Sequence, residues 1–127
     1  MGTDIKATAS HYNSLAENIT SLKASYPIRN GYFGRKGKGR DFVRNIVSSA
    51  PLSTARDFYA KAAAGGQERK LPNGKGKYSK LSDGTIISYR ERSSSDGTPA
   101  VEINIKHSMA HGEVKYQKIH FVKEGEI

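Results

Sequence analysis

The chain has 127 residues, 35% of them hydrophobic, with no Trp and no Cys. This length suits one domain with a modest core. The lack of Cys excludes disulfides and thiolate metal sites. No apolar run approaches the roughly 18 residues that a membrane-spanning helix needs, and the N-terminus lacks the pattern of a signal peptide. We therefore expect no membrane anchoring.

Positive charge is concentrated in one part of the chain, which has a formal net charge of +9. Residues 29–80 contain 13 Lys or Arg against 3 Asp or Glu, whereas residues 1–28 and 81–127 are close to neutral. Such a block is typical of proteins that bind a polyanion, most commonly nucleic acid. A basic surface without a partner is the alternative. An anionic membrane is less favoured, because no strong amphipathic helix underlies the block.

The four His do not have the spacing of metal ligands. His107 and His111 are four residues apart, but a Gly follows them in a predicted loop, which makes a metal site there a weak prediction. We expect no metal and no cofactor.

Residues 4–26 have apolar side chains at helical spacing and predict a helix. Asp4 can cap its beginning, and Pro27 ends it. His11 lies beside the apolar stripe, and we interpret it as a surface or packing residue.

Residues 29–40 contain four Gly, which predict a loop without regular structure. Cations in this loop alternate with Tyr32 and Phe33. Lys and Arg can neutralise phosphates, while an exposed ring can stack on a base. For the two rings, base stacking and burial in the core are both open. The cations predicted to bind RNA are Arg35, Lys36, Lys38 and Arg40.

Two short helices are predicted next. The first begins at Asp41 and ends near Pro51. The second begins at Ser53 or Thr54 and ends before Gly65.

Residues 67–80 predict a second basic loop. Asn73 and Gly74 are a turn signal. Lys75 and Lys77 would then bring cations to the rim of a site and bind RNA.

Three consecutive strands are predicted between Asp83 and Val122. Turn residues bracket them, and β-branched and aromatic residues fill them. Side chains alternate between the two faces of a strand, so one face is apolar and packs against the helix that carries Phe58 and Tyr59. The apolar face is formed by Ile87, Tyr89, Val101, Ile103, Ile105, Ile119 and Phe121.

The opposite face of these strands is polar and carries Arg90, Glu102, Asn104, Lys118 and His120. A carboxylate, an imidazole and two cations on one surface are what a metal-free ribonuclease needs. A base removes the proton of the 2′-hydroxyl, an acid protonates the leaving 5′-oxygen, and cations stabilise the pentavalent phosphate.

Among these side chains, His120 is the leading candidate for acid or base, because its unperturbed pKa lies near 6.5. Arg90 suits a phosphate clamp, and Arg92 shares its face and is predicted to bind RNA. A purely structural His and a surface Arg are the alternatives.

The predicted fold class is α+β, with N-terminal helices packed on an antiparallel sheet. Residues 1–127 would be a single domain. Residues 1–66 are mainly helical with a basic loop at 29–40, and residues 67–127 form the second basic loop and the sheet.

Four stretches of the chain, over about residues 53–123, resemble C-terminal toxin domains of bacterial polymorphic toxins, including effectors of contact-dependent growth inhibition. They read ARDFYAKAAAGG, NGKGK, DGTIISYRERSSSDGTPAVEINI and QKIHF. The chain looks like the ribonuclease toxins of the barnase, EndoU, colicin and RelE group. This resemblance implies a curved antiparallel sheet on N-terminal helices, with the active site on the exposed sheet face.

The resemblance also implies delivery into a rival bacterium as the C-terminal part of a larger effector, and cleavage of tRNA in the target cytoplasm. A cognate immunity protein is implied, and we expect its acidic surface to face residues 29–80. Some relatives need elongation factor Tu to present tRNA.

Carried over by motif, the implied site uses Arg90, Lys118, His120 and the hydroxyls of Ser94 and Thr98. The alternative for residues 93–98 is that they only form a turn. Glu102 would match the base of barnase-like enzymes; the alternative is that it only pairs across strands with Arg90 or Lys118.

Two other functions stay open. A non-catalytic RNA-binding module would need only the basic loops. A deoxyribonuclease is less favoured, because DNA lacks the 2′-hydroxyl nucleophile and enzymes that cut it usually need a metal.

Overall fold

The computed structural model describes residues 13–93, 96–106 and 113–125. These ranges contain two helices, nine strands and one 3₁₀ turn at Pro72–Gly74. The helices are α1 (Leu15–Ser25) and α2 (Pro51–Ala62). The strands are β1 (Ile28–Arg29), β2 (Tyr32–Phe33), β3 (Arg35–Lys36), β4 (Val43–Val47), β5 (Gln67–Lys70), β6 (Lys77–Lys80), β7 (Ile86–Arg90), β8 (Ala100–Asn104) and β9 (Gln117–Val122). Neither helix is long and apolar enough to cross a membrane.

Seven strands form one open sheet in the order β3-β4-β9-β8-β7-β6-β5, and β1 and β2 form a separate hairpin. Neighbouring strands are antiparallel except β4 and β9, which are parallel. The α+β class is confirmed. The predicted order of helices followed by sheet is wrong, because β1 to β4 lie between the two helices.

Helix α1 begins with a reciprocal capping box. The amide of Glu17 donates to Oγ of Ser14 at 3.3 Å, and the amide of Ser14 donates to Oε1 of Glu17 at 2.7 Å. The helix predicted over 4–26 is confirmed over Leu15–Ser25, whereas Asn13 and Ser14 are not helical. Asp4 and His11 lie outside the described residues.

Both helices pack on one face of the sheet, where Phe58 is fully buried. Its ring lies 5.1 Å from that of Phe33 and 5.7 Å from that of Phe121. The ring of Tyr59 lies 5.5 Å from that of Tyr89. The predicted packing of α2 on the apolar face is confirmed, and each fully buried Phe stabilises the fold by about 1.5–3 kcal/mol.

Residues 43–47 form β4, so the helix predicted to begin at Asp41 is wrong. The segment is rich in β-branched residues and pairs along its whole length with β9. Pro51 begins α2 instead of ending a helix, since the first helical position does not need an amide hydrogen.

The two basic loops also contain strands. Residues 67–80 form the β5–β6 hairpin at one edge of the sheet, with the predicted turn at Asn73 and Gly74. Four polar or charged residues with exposed side chains make up β5, which discourages pairing with another chain.

Arg44 orders the Gly-rich segment 29–40. Its guanidinium donates to the carbonyl oxygens of Phe33, Gly34 and Asp41, each at 3.1 Å, and lies 4.7 Å from the ring centre of Tyr32. These bonds hold the turns between β2, β3 and β4. The prediction that residues 29–40 lack regular structure is therefore wrong, because β2 and β3 form there despite the four Gly.

Candidate active site on the open sheet face

The sheet face that points away from α1 and α2, here called the open face, carries the residues of the candidate site. Arg90 pairs with Ala100, Ala100 with His120, and His120 with Asn45, so the four form one row across four strands. Arg90 and His120 are two strands apart, or about 10 Å between Cα atoms. The strand phase predicted from the sequence is confirmed, because the next residue, Phe121, faces the core.

A second row lies beside the first. Ser88 pairs with Glu102, Glu102 with Lys118, and Lys118 with Val43. Since Lys118 precedes His120 by two residues, the two rows are about 7 Å apart. The open face thus brings together the carboxylate, the imidazole and the two cations that the sequence placed there.

His120 is held by the turn between β7 and β8. Its Nδ1 lies 2.9 Å from Oγ1 of Thr98 and 3.2 Å from Oδ1 of Asp96. The residue is only 5% exposed. The turn is itself tied together, because Oγ of Ser93 donates to Asp96 at 2.6 Å and Oγ1 of Thr98 donates to it at 2.7 Å.

The hydrogen-bond network assigns the tautomer of His120. The carboxylate of Asp96 can only accept, and the single hydroxyl hydrogen of Thr98 goes to that carboxylate. The oxygen of Thr98 must then accept from Nδ1–H of His120. With the hydrogen on Nδ1, the other ring nitrogen, Nε2, carries the lone pair.

The surroundings lower the pKa values of both Asp96 and His120. Partial burial raises the pKa of Asp96, but the hydrogen bonds from Ser93 and Thr98 and the nearby His120 outweigh it and lower the pKa to about 2. Burial lowers the pKa of His120, Lys118 lowers it further, and Asp96 opposes the shift. Burial and Lys118 therefore favour the neutral form of His120, in which Nε2 can accept a proton.

Glu102 is engaged by a neighbour on the same face. Tyr116 donates a short hydrogen bond to Oε2 of Glu102, and its ring packs 5.1 Å from that of Phe42. Burial and this carboxylate raise the pKa of Tyr116 to about 12. Glu102 therefore has a structural partner, whereas the sequence left it open between a base and a cross-strand pair.

Of the two predicted hydroxyls, Thr98 contacts His120, and Ser94 lies outside the described residues. Sequence reasoning assigned no role to Asp96, Tyr116 or Asn45. The alternation of β9 does place Tyr116 on the polar face, and Asp96 lies two residues before Thr98 in a turn that leads into the row of His120. Asn45 was missed because residues 43–47 were predicted to be helical, whereas they form β4 and pair Asn45 with His120.

The predicted RNA-binding cations of segment 29–40 lie at the β3 edge. Arg35 pairs with Asn45 and extends the row of His120. Lys36 donates to the carbonyls of Gly37 and Gly39 at 3.4 and 2.9 Å, so it also closes its own turn. The next two cations in the chain, Lys38 and Arg40, are exposed.

Of the two rings in this segment, Phe33 is fully buried in the core. It is therefore excluded as a base-stacking residue in this structure. Tyr32 is half-buried, with Arg44 and Lys115 over its ring at 4.7 and 5.2 Å.

The remaining predicted cations, Lys75, Lys77 and Arg92, line a groove at the end of β7. Lys77 lies 3.6 Å from Glu68 and 5.2 Å from the ring centre of Tyr59. It is thus partly neutralised within the chain.

Within the described ranges, no group of three or more His, Asp or Glu could hold a metal ion. His107 and His111 lie outside those ranges.

Comparisons with known proteins add no relative. No protein-family model matches the chain, and neither the curated proteins nor the solved structures include a significant match. Function is therefore inferred from the geometry of the open face and from the sequence.

Proposed function

We propose that the chain is an endoribonuclease that cleaves RNA without a metal ion. One observation carries the proposal. His120, held through Nδ1 by Thr98 and Asp96, shares one sheet face with Arg90 and Lys118.

In the proposed reaction, Nε2 of His120 accepts the proton of the 2′-hydroxyl. The 2′-oxygen attacks the adjacent phosphorus, and the bond to the 5′-oxygen breaks. The products are a 2′,3′-cyclic phosphate and a 5′-hydroxyl. Asp96 stabilises the imidazolium that forms, because its carboxylate lies 3.2 Å from Nδ1.

Arg90 and Lys118 have different roles in the proposed reaction. Arg90 stabilises the charge that develops on the phosphate oxygens. Lys118 protonates the leaving 5′-oxygen. Tyr116 is a poorer acid for this step, because it already donates its hydrogen to Glu102 and its pKa is raised to about 12.

The resemblance to toxin domains extends the proposal. We propose tRNA as the substrate, the cytoplasm of a target bacterium as the place of action, and delivery as part of a larger effector. We also propose a fold of the barnase, EndoU, colicin and RelE group. An immunity protein with an acidic surface would cover the basic residues within 29–80, and elongation factor Tu is a candidate helper.

The test is cleavage of total tRNA by the purified protein in EDTA, with the ends of the products identified. We expect 2′,3′-cyclic phosphate and 5′-hydroxyl ends. His120→Ala and Arg90→Ala should each lower the rate by about 10² to 10³, the cost of losing one good transition-state donor. Elongation factor Tu should be added in a parallel reaction.

Lys80→Ala is the matched control. Lys80 is exposed and pairs with Ile86, about 13 Å along β7 from Arg90. It should leave the cleavage rate unchanged. Wild-type cleavage by both site variants would refute the assignment of the site. RNA binding without any cleavage by the wild type would favour the non-catalytic binding module.

A further inference from the structure

A groove of about 1110 Å³ lies between α2, the turn of the β5–β6 hairpin and the end of β7. Its walls include Arg56 from α2, Lys75 from the hairpin and Arg92 after β7. The volume lies above the range of about 300–1,000 Å³ for small-molecule pockets. The groove can therefore accept a ligand larger than one nucleotide.

The groove carries an excess of positive charge. Its two carboxylates are already engaged, since Glu91 lies 2.7 Å from Arg56 and Glu68 lies 3.6 Å from Lys77. Four further cations make no ion pair within the described part of the chain. They are Lys70, Lys75, Arg90 and Arg92.

Two tyrosines form the inner wall, but neither presents a free ring face. Tyr59 and Tyr89 are 4% and 5% exposed. The hydroxyl of Tyr89 is buried beside the guanidinium of Arg56. Because the rings are covered, the groove can recognise phosphates by charge, but it offers no platform for stacking bases.

Arg90 joins the groove to the open face. It lines the groove and also begins the row that leads through Ala100 to His120. Because α2 forms one wall of the groove, an RNA strand whose scissile phosphate lies at His120 would have to pass around the end of β7 at Arg90 to reach it.

We propose that the groove binds the phosphate backbone of a single-stranded RNA segment next to the cleavage site, through Lys70 and Lys75 and without base preference. This inference rests on the proposed function, from which it takes RNA as the ligand. It adds a second binding surface, separate from the β3 edge, that sets affinity while the open face sets the rate.

The experiment measures binding of fluorescent ten-nucleotide oligoadenylate and oligouridylate by anisotropy over a series of salt concentrations. All proteins carry His120→Ala so that RNA is not cut. Lys70→Gln with Lys75→Gln should weaken binding of both RNAs equally. It should also reduce the slope of log K against log salt by about 1.4, or about 0.7 for each phosphate of the single strand that the protein no longer neutralises.

Lys80→Gln with Lys106→Gln is the matched control, since both lysines are exposed and lie toward the other end of the strands. Its slope should equal that of the parent. An unchanged slope in the groove variant, a loss confined to one of the two RNAs, or no RNA binding at all would overturn the proposal. Thermal melting of each variant checks that the fold is intact.

The outcomes separate the two proposals. If the groove variant shows the expected slope change in the His120→Ala background but the wild type never cuts RNA, the groove inference stands and the nuclease proposal fails. If the wild type cuts RNA and the slope does not change, the nuclease proposal stands and the groove inference fails.

Discussion

Oγ1 of Thr98 lies 2.9 Å from Nδ1 of His120, and the same hydroxyl donates to Asp96. This contact leaves Nε2 as the nitrogen with the lone pair. It also connects the chemistry to a turn, because Asp96 and Thr98 position the imidazole without belonging to the sheet. The turn therefore determines the orientation and the protonation of His120.

The first prediction concerns the pKa of His120 measured by NMR titration of its ring. The pKa should lie below the ordinary value of about 6.5, because burial and Lys118 both favour the neutral form. Asp96→Asn should lower the pKa further, since this carboxylate raises it. Lys118→Met should raise the pKa.

The lowered pKa of His120 also makes the free energy of unfolding depend on pH, and it fixes the direction of that dependence. Below about pH 6.5 the unfolded chain binds a proton that the folded chain does not yet bind. The free energy of unfolding should therefore fall as the pH is lowered from about 6.5 toward the folded pKa, and remain reduced below it. A folded pKa above 6.5, or the Nε2–H tautomer in the NMR spectrum, would contradict the network.

The second prediction separates His120 from Glu102 as the base. Glu102→Gln keeps an acceptor oxygen for Tyr116 but removes the negative charge. We expect tRNA cleavage to fall by less than about 10-fold, against about 10² to 10³ for His120→Ala. Tyr116→Phe, which removes the donor, serves as the control for the contact itself. Equal losses for Glu102→Gln and His120→Ala would make Glu102 the base.

The third prediction concerns Asn18, a buried polar residue on α1. Its Nδ2 donates to the carbonyls of Ala62 and Ala64 at 2.8 and 2.9 Å, at the end of α2. Asn18→Ala leaves these carbonyls unpaired and should lower the free energy of unfolding by about 1–3 kcal/mol in urea denaturation. Thr20→Ala, exposed on the same helix, should change it by less than about 0.5 kcal/mol. Similar values for the two would rule out this role.

Strand alternation explains why much of the site could be predicted from the sequence. The polar face of β7, β8 and β9 follows from the period of two, once turns at Asp83 and Asp96 mark the strand ends. The same period placed Arg90, Lys118 and His120 together. It did not give the partners of His120, because a turn residue has no fixed period.

The errors lie where local patterns were ambiguous. Residues 43–47 form a short run in which Val43, Ile46 and Val47 surround two polar residues, so periodicity alone does not separate a strand from a helix. Their parallel pairing with β9 is a contact over some 75 residues and leaves no local signal. The Gly-rich segment 29–40 is ordered by Arg44, whose three carbonyl partners also could not be read from composition.

The last prediction tests a backbone contact that shapes the groove. Gly76 has φ +153°, and a Cβ there would lie 2.1 Å from the carbonyl oxygen of Tyr89. Gly74, in the same turn, has φ +65° with no atom within 4 Å of its Cβ position. Gly74→Ala should therefore lower the free energy of unfolding by only about 1–2 kcal/mol, the cost of a left-handed backbone conformation for a residue with a Cβ. Gly76→Ala should cost clearly more by thermal or urea denaturation, because β6 must move away from β7. Equal losses in the two variants would mean that the strands are not in this close contact.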